Sequence, residues 1–141
     1  MPDRNILLNI LWVNGMRGKV YEWFKDWLGE RRQRTRWNEG VSEEIPCDIG
    51  TPQGAPLSCL LFILYINGIF KVPLKCKLRL FADDALLYHE GDDWNEIMRC
   101  VVNNLDKVIE WTESMKLKLN FDKTKWMAVC GNKCNLDMSV G

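Results

Sequence analysis

The sequence predicts an α+β domain, a layer of antiparallel sheet with helices packed on one face, and three observations predict it. Two stretches repeat apolar residues at helical spacing, two others form short arms around tight turns, and the strands are joined mostly by turns rather than by crossover helices. A length of 141 residues suits one core-forming domain or a piece of a larger unit, and 47% hydrophobic residues suit a globular one.

Taken in order, residues 6–13 are apolar and helix-tolerant, and Asn14-Gly15 supplies a helix stop. A second helix sets Val20, Trp23, Phe24, Trp27 and Leu28 on one side and Lys19, Glu22, Lys25 and Asp26 on the other, with Gly29 at its end. Tryptophans at this spacing are expected in the core rather than as base-stacking platforms. Residues 33–49 predict a β-hairpin turning at Asn38-Glu39-Gly40. GTPQGAP, residues 50–56, is a Pro/Gly-punctuated loop leading into the apolar run 57–70. That run falls short of the ~20 residues of a membrane span and is expected as a buried core helix.

Residues 77–82 and 85–89 are short strands with Asp83-Asp84 as the two-residue turn between them. Residues 92–117 form a long amphipathic helix, opened by Asp93 and Glu96 in the capping-box relation. Its stripe runs through Ile97, Val101, Leu105, Val108 or Ile109, and Thr112 or Met115. KWMAVC, residues 125–130, is the last expected strand.

Charge excludes little in total, since 19 basic side chains balance 19 acidic ones, but its distribution is uneven. Residues 1–80 carry 12 basic and 8 acidic side chains, and residues 81–141 carry 7 and 11. Six cysteines without a C-x-x-C pair, and no signal peptide, point to reduced thiols in an intracellular protein of nucleus or cytoplasm. Cys130 and Cys134, with His89 the sole histidine, leave a tetrahedral zinc count unfilled, so no zinc site is expected.

Four stretches carry candidate chemistry. In LRLFADDALLY, two carboxylates ~4 Å apart repel by roughly 4 kcal/mol at an effective dielectric near 20, so they read either as a solvated turn or as a site for a hard divalent cation. The 50–56 loop reads as an ordinary proline-rich loop, or as a close-approach surface whose following helix offers free N–H groups to phosphate. RRQRTRW, with Arg31, Arg32, Arg34 and Arg36, reads equally as a solvated charge run or as an arm that follows a nucleic-acid backbone. LKLNFDKTKWM offers Lys123 or Lys125 to a charged substrate, or simply to solvent.

The succession of Arg-rich hairpin, TPQGAPLSCLLFILYING, LFADDALLY, long amphipathic helix and LKLNFDKTKWM resembles the palm region of reverse transcriptases, most closely those of non-LTR retrotransposons. The resemblance runs from about Leu7 to about Val129. It implies a palm-type antiparallel sheet and RNA-directed DNA synthesis by a two-metal mechanism, in which a primer 3′-hydroxyl attacks a deoxynucleoside triphosphate. Asp83 and Asp84 then take the metal-ligand positions for Mg²⁺ or Mn²⁺, Asp83 the stronger of the two. Pro52, Gln53 and Gly54 lie against template and nascent base pair, Phe81 is the aromatic before the aspartates, and Lys123 protonates departing pyrophosphate. The four arginines of the hairpin join the template-binding set. Partners would be an RNA template, a DNA primer and nucleotides, with no membrane.

Two departures from the family pattern shape the expectation. The helix after the loop ends in Asn67-Gly68 where the family commonly has Asn-Asp, and no aspartate before Gly50 ends an apolar strand as the third metal ligand does. Residues 1–141 are therefore expected as an incomplete polymerase palm, without the fingers, the first catalytic-aspartate strand or the thumb, and of little activity alone. The alternative is a nucleic-acid-binding remnant that has lost its chemistry.

Overall fold

A computed structural model describes residues 2–29, 31–47, 50–52 and 54–129. Helix α1, Arg4–Val13, is followed by α2, Gly18–Leu28; then come four two-residue strands, β1 Arg32–Gln33, β2 Arg36–Trp37, β3 Gly40–Val41 and β4 Ile45–Pro46. Helix α3, Pro56–Ile66, runs on into a 3₁₀ turn, Asn67–Lys71; the hairpin of β5, Lys77–Phe81, and β6, Asp84–Tyr88, precedes α4, Trp94–Ser114. The fold is α+β. Its strands make three separate antiparallel ribbons, β1–β4, β2–β3 and β5–β6, rather than the single layer the sequence predicts. Only β5–β6 is backed by apolar side chains of helices, so sheet and helix layers meet there alone among the described residues.

Two apolar clusters hold these elements. Leu7, Leu11, Phe24, Leu28, Leu61 and Tyr65 join α1, α2 and α3, and Ile69, Leu78 and Val108 join the 3₁₀ turn, β5 and α4. Because α3 and its 3₁₀ extension contribute to both, one continuous segment couples the clusters. Gly68 permits the close approach: a Cβ there would lie 3.3 Å from the Trp111 ring.

Local sequence explains the helix ends. Asp3 caps α1 by accepting from the amides of Asn5 and Ile6. Asp93 caps α4 by accepting from the Asn95 amide, so the aspartate half of the expected capping box forms. At its other end α4 closes in a Schellman motif: Lys116, at φ +52°, donates to Glu113 O, and Leu117 donates to Thr112 O. The turn returns Leu117 to the first cluster and carries Lys116 to Asp3, 2.8 Å from its carboxylate.

Several expectations are corrected. Residues 57–70 are buried on one side only, through Leu61, Tyr65 and Ile69, while Leu60, Ile63 and Phe70 are exposed; an all-apolar run has no periodicity to reveal its inner face. Trp23 is half-exposed and stacked on Trp27, with ring centroids 5.7 Å apart. The buried line of α4 passes through Asn104, Val108 and Thr112, so its centre includes a polar residue outside the expected stripe. Residues 125–129 form no strand and pair with none of the three ribbons among the described residues; Cys130 lies outside the described residues.

Asp3, a terminal residue without a role by sequence, is tied to the far end of the chain. Lys116 and the helix amides hold its carboxyl below the ordinary 3.8, and Asp3 in turn raises Lys116 above its ordinary 10.5. A depressed acid contributes stability that is present above its unfolded value and lost as pH falls through its folded value; a raised base contributes stability present below its unfolded value and lost as pH rises through its folded one. Thermal melting is therefore expected to hold steady from about pH 5 to 9 and to fall below about pH 4. Lys116→Met should flatten the acid limb, as melting curves across pH would show.

Candidate functional site

The 50–56 loop is fixed from three directions. The Gly50 amide donates to Pro2 O at 3.0 Å, Arg31 donates to Gly50 O at 2.7 Å, and the Ser58 hydroxyl of α3 donates to Pro52 O. Gly54 has φ +83°, a conformation that favours glycine, with open space beside its Cα. Gln53 lies outside the described residues.

The acid hairpin pairs Leu78 with Leu87 and Leu80 with Ala85 on its inner side, against α4 and the 3₁₀ turn. Phe81 pairs with Asp84, so the two-residue turn is Ala82-Asp83 and Asp84 already belongs to β6. This moves the turn one residue ahead of the predicted Asp83-Asp84. In this register Leu78 faces Leu87 and Leu80 faces Ala85 across the ladder, and Phe81 and Asp84, paired at its end, are both exposed. Ala82 takes φ +52°, unusual for a residue with a Cβ and costing about 1–2 kcal/mol.

The loop and the hairpin tip meet. Gly54, Ala55, Ser58 and Ile63 share with Ala82 the lining of one cavity of about 590 Å³. Asp83 and Asp84 do not line it but follow Ala82 directly, both exposed. Among the described residues neither carboxylate makes a hydrogen bond or ion pair, so nothing in the described fold neutralises them. Two exposed hard oxygen donors fit a Mg²⁺- or Mn²⁺-class ion. No third His, Cys, Asp or Glu converges on them among the described residues. Asp3 is engaged by Lys116, and Asp26 is exposed on α2.

The remaining candidates lie apart from the cavity. The β1–β4 and β2–β3 ribbons make the predicted hairpin with a tighter turn, Asn38-Glu39, and one extra residue in the later arm, a bulge between the Arg36–Val41 and Gln33–Ile45 pairs. All eight strand residues are exposed, so the arm projects from the core. Arg32 and Arg34 lie 3.5 and 4.0 Å from Glu44, whereas Arg31 is committed to Gly50. Lys123 is exposed on a turn whose backbone is held by Asn120 and is not among the residues lining the cavity.

One cluster is not legible in the sequence. Cys76, His89 and Cys100 bring one ligand atom each to within 4.8 Å of one another. Burial and the neighbouring Cys100 push the Cys76 thiol up to about 11. The available signal was the sole histidine, His89, which the sequence offers first to Cys130 and Cys134; those two cysteines lie outside the described residues.

A hairpin that presents adjacent aspartates beside a Gly/Pro loop, on a helix-backed antiparallel ribbon, defines a candidate nucleotidyl-transfer centre. The family model for reverse transcriptase (RNA-dependent DNA polymerase) matches residues 6–135, and the chain belongs to that family. Members generally use divalent metal ions, a nucleic-acid template and nucleotide substrates. The chain is also similar to the Probable RNA-directed DNA polymerase from transposon BS of Drosophila melanogaster, 27% identical over 129 residues. That match covers 81% of this chain and 14% of the relative's length. No solved structure matches the chain. No helix among the described residues is long and apolar enough to cross a membrane.

Proposed function

We propose that residues 6–135 act as the palm portion of an RNA-directed DNA polymerase, with the cavity between the 50–56 loop and the acid hairpin receiving the nascent base pair and the nucleotide. The observation that carries this reading is the shared lining: Gly54 and Ala82, distant in sequence, border one space beside two unneutralised carboxylates. Asp83 and Asp84 would hold the divalent ions, Mg²⁺ or Mn²⁺. Such ions, when bound, stabilise the attacking and leaving oxygens of an in-line displacement.

The chain's own residues do the rest. Gly54, bare of a side chain, and Pro52 give a base pair a flat approach, with Gln53 as its polar partner. Ala55 has no capping side chain, but Pro56 lacks an N–H and Ser58 N–H donates to Ala55 O, which leaves the Leu57 amide at the start of α3 for a phosphate oxygen. Phe81 flanks Asp84 across the hairpin; Lys123, the candidate for protonating departing pyrophosphate, does not line the cavity. Holding Ala82 at positive φ stores strain at the point where the carboxylates are aimed, as functional turns often do.

With two carboxylates and no third converging among the described residues, the ion site is expected to be weak, because Mg²⁺ tolerates little distortion. This favours a second reading, a nucleic-acid-binding module with little chemistry, supported also by the exposed arginine arm. The deciding measurement is a Mn²⁺ titration followed by NMR, in the presence of an RNA–DNA primer-template and nucleotide. Selective broadening of the amides of residues 82–85, absent in Asp83→Asn, is expected for the polymerase reading; broadening indifferent to that substitution removes it. Primer extension on RNA by the chain alone should be slight, and abolished by Asp83→Ala.

A further inference from the structure

The base of the acid hairpin carries a second set of metal-ligating side chains, on the opposite end from the carboxylates. Cys76 immediately precedes β5, His89 immediately follows β6, and Cys100 lies in the second turn of α4. Two thiol sulfurs and an imidazole nitrogen therefore converge from three segments, each within 4.8 Å of the others.

The sulfur separation discriminates between two fates for the thiols. Cys76 and Cys100 Sγ lie 3.8 Å apart. A disulfide needs ~2.05 Å. Two sulfurs on a tetrahedral zinc, with Zn–S bonds of ~2.3 Å, stand about 3.8 Å from each other. The observed spacing matches the tetrahedral edge as well as an S–H···S contact between reduced thiols, and rules out a disulfide.

The surroundings are built as well. Asn104, 2% exposed, donates through Nδ2 to Cys100 O at 2.6 Å and lies 3.5 Å from Cys100 Sγ. Its Oδ1 accepts from the Lys75 amide at 2.7 Å, fixing the residue next to Cys76 against α4. One buried amide thus orients a sulfur and positions the second ligand's backbone, the task of outer partners around metal sites. Cys76 is buried, while His89 and Cys100 are half-buried, which leaves a solvent path for an ion.

We infer that Cys76, His89 and Cys100 bind one Zn²⁺ as a Cys₂His site, with water completing the tetrahedron. Both thiols release their protons to solvent as the two Zn–S bonds form. Two thiolates and an imidazole select zinc over the hard cations suited to Asp83 and Asp84, so the sites are chemically separate. The ion would staple the hairpin base to α4 and thereby set the angle at which the aspartates are presented. The inference does not depend on the polymerase reading, because it concerns only these three side chains and their spacing.

The test uses the full, thiol-reduced chain. About one equivalent of zinc should remain after dialysis, and Co²⁺ in its place should give a thiolate-to-cobalt charge-transfer band. His89 is the only histidine, so its imidazole NMR signals should shift with added Zn²⁺ without any variant being made. Asn104→Ala should weaken binding by roughly 10- to 100-fold, and Cys100→Ser or His89→Ala by more. Cys59→Ser, an exposed thiol away from the cluster, should leave binding unchanged. Unmoved His89 signals at saturating Zn²⁺ overturn the inference. So does zinc retained by Cys100→Ser and released on replacing Cys130 and Cys134.

Discussion

Tyr65→Phe lowers the unfolding free energy by about 2–4 kcal/mol, although it deletes a single oxygen. Tyr65 is fully buried; its hydroxyl accepts from the Asp3 amide at 3.2 Å and donates to Met115 O. The residue thus joins the cap of α1 to the end of α4, across 62 and 50 residues of sequence. Phe keeps the ring in the first cluster and strands both partners, each costing about 1–3 kcal/mol when buried unsatisfied. Urea unfolding measures the loss, and the slope with denaturant should stay unchanged because the same surface is exposed. A loss below about 0.5 kcal/mol would show that water replaces the hydroxyl at no cost. Leu61→Ala, in the same cluster, removes packing instead and should cost about 2–5 kcal/mol.

Replacing Arg32, Arg34 and Arg36 together by Gln weakens binding to an RNA–DNA duplex by about 10²-fold near 0.1 M salt. The slope of log affinity against log salt falls by up to about 3, one for each phosphate no longer neutralised. The arm is suited to this because it is exposed along both edges and anchored at its root by Arg31 on Gly50. Glu44→Gln should move affinity the other way, by a few fold, since Glu44 lies within ion-pair reach of both Arg32 and Arg34. Fluorescence anisotropy at several salt concentrations separates the effects. An unchanged slope in the triple variant would assign these arginines to a solvated surface.

Caps, helical periods and turns depend on residues within a few positions of each other, so α1, α2, α4 and both hairpins were legible from the Asn14-Gly15 stop, Gly29, Asp93 and the apolar spacing. The apolar run that became α3 was legible as helix but not as half-exposed, for it carries no polar face to mark its orientation. The acid turn was misplaced by one residue because Ala82-Asp83 and Asp83-Asp84 both leave Leu78, Leu80, Ala85 and Leu87 on one side, so alternation alone does not separate them; the ladder pairs Leu80 with Ala85 and Phe81 with Asp84. Residues 125–129 show the converse error: their β propensity makes no strand because they pair with none of the ribbons among the described residues.

The candidate site divides in the same manner. The loop and hairpin strings, with their order along the chain, pointed by themselves to the reverse transcriptase family, because each string is local and its spacing is chemical. What the sequence by itself determined is thus the helices and both hairpins, the family and the identity of the two aspartates as candidates. Only the tertiary structure decided that Ala82 borders the loop cavity, that Asp3 spends its charge on Lys116, and that Cys76, His89 and Cys100 converge. The reason is physical: these juxtapositions depend on how two apolar clusters set their elements against one another, and no local pattern encodes an angle between segments.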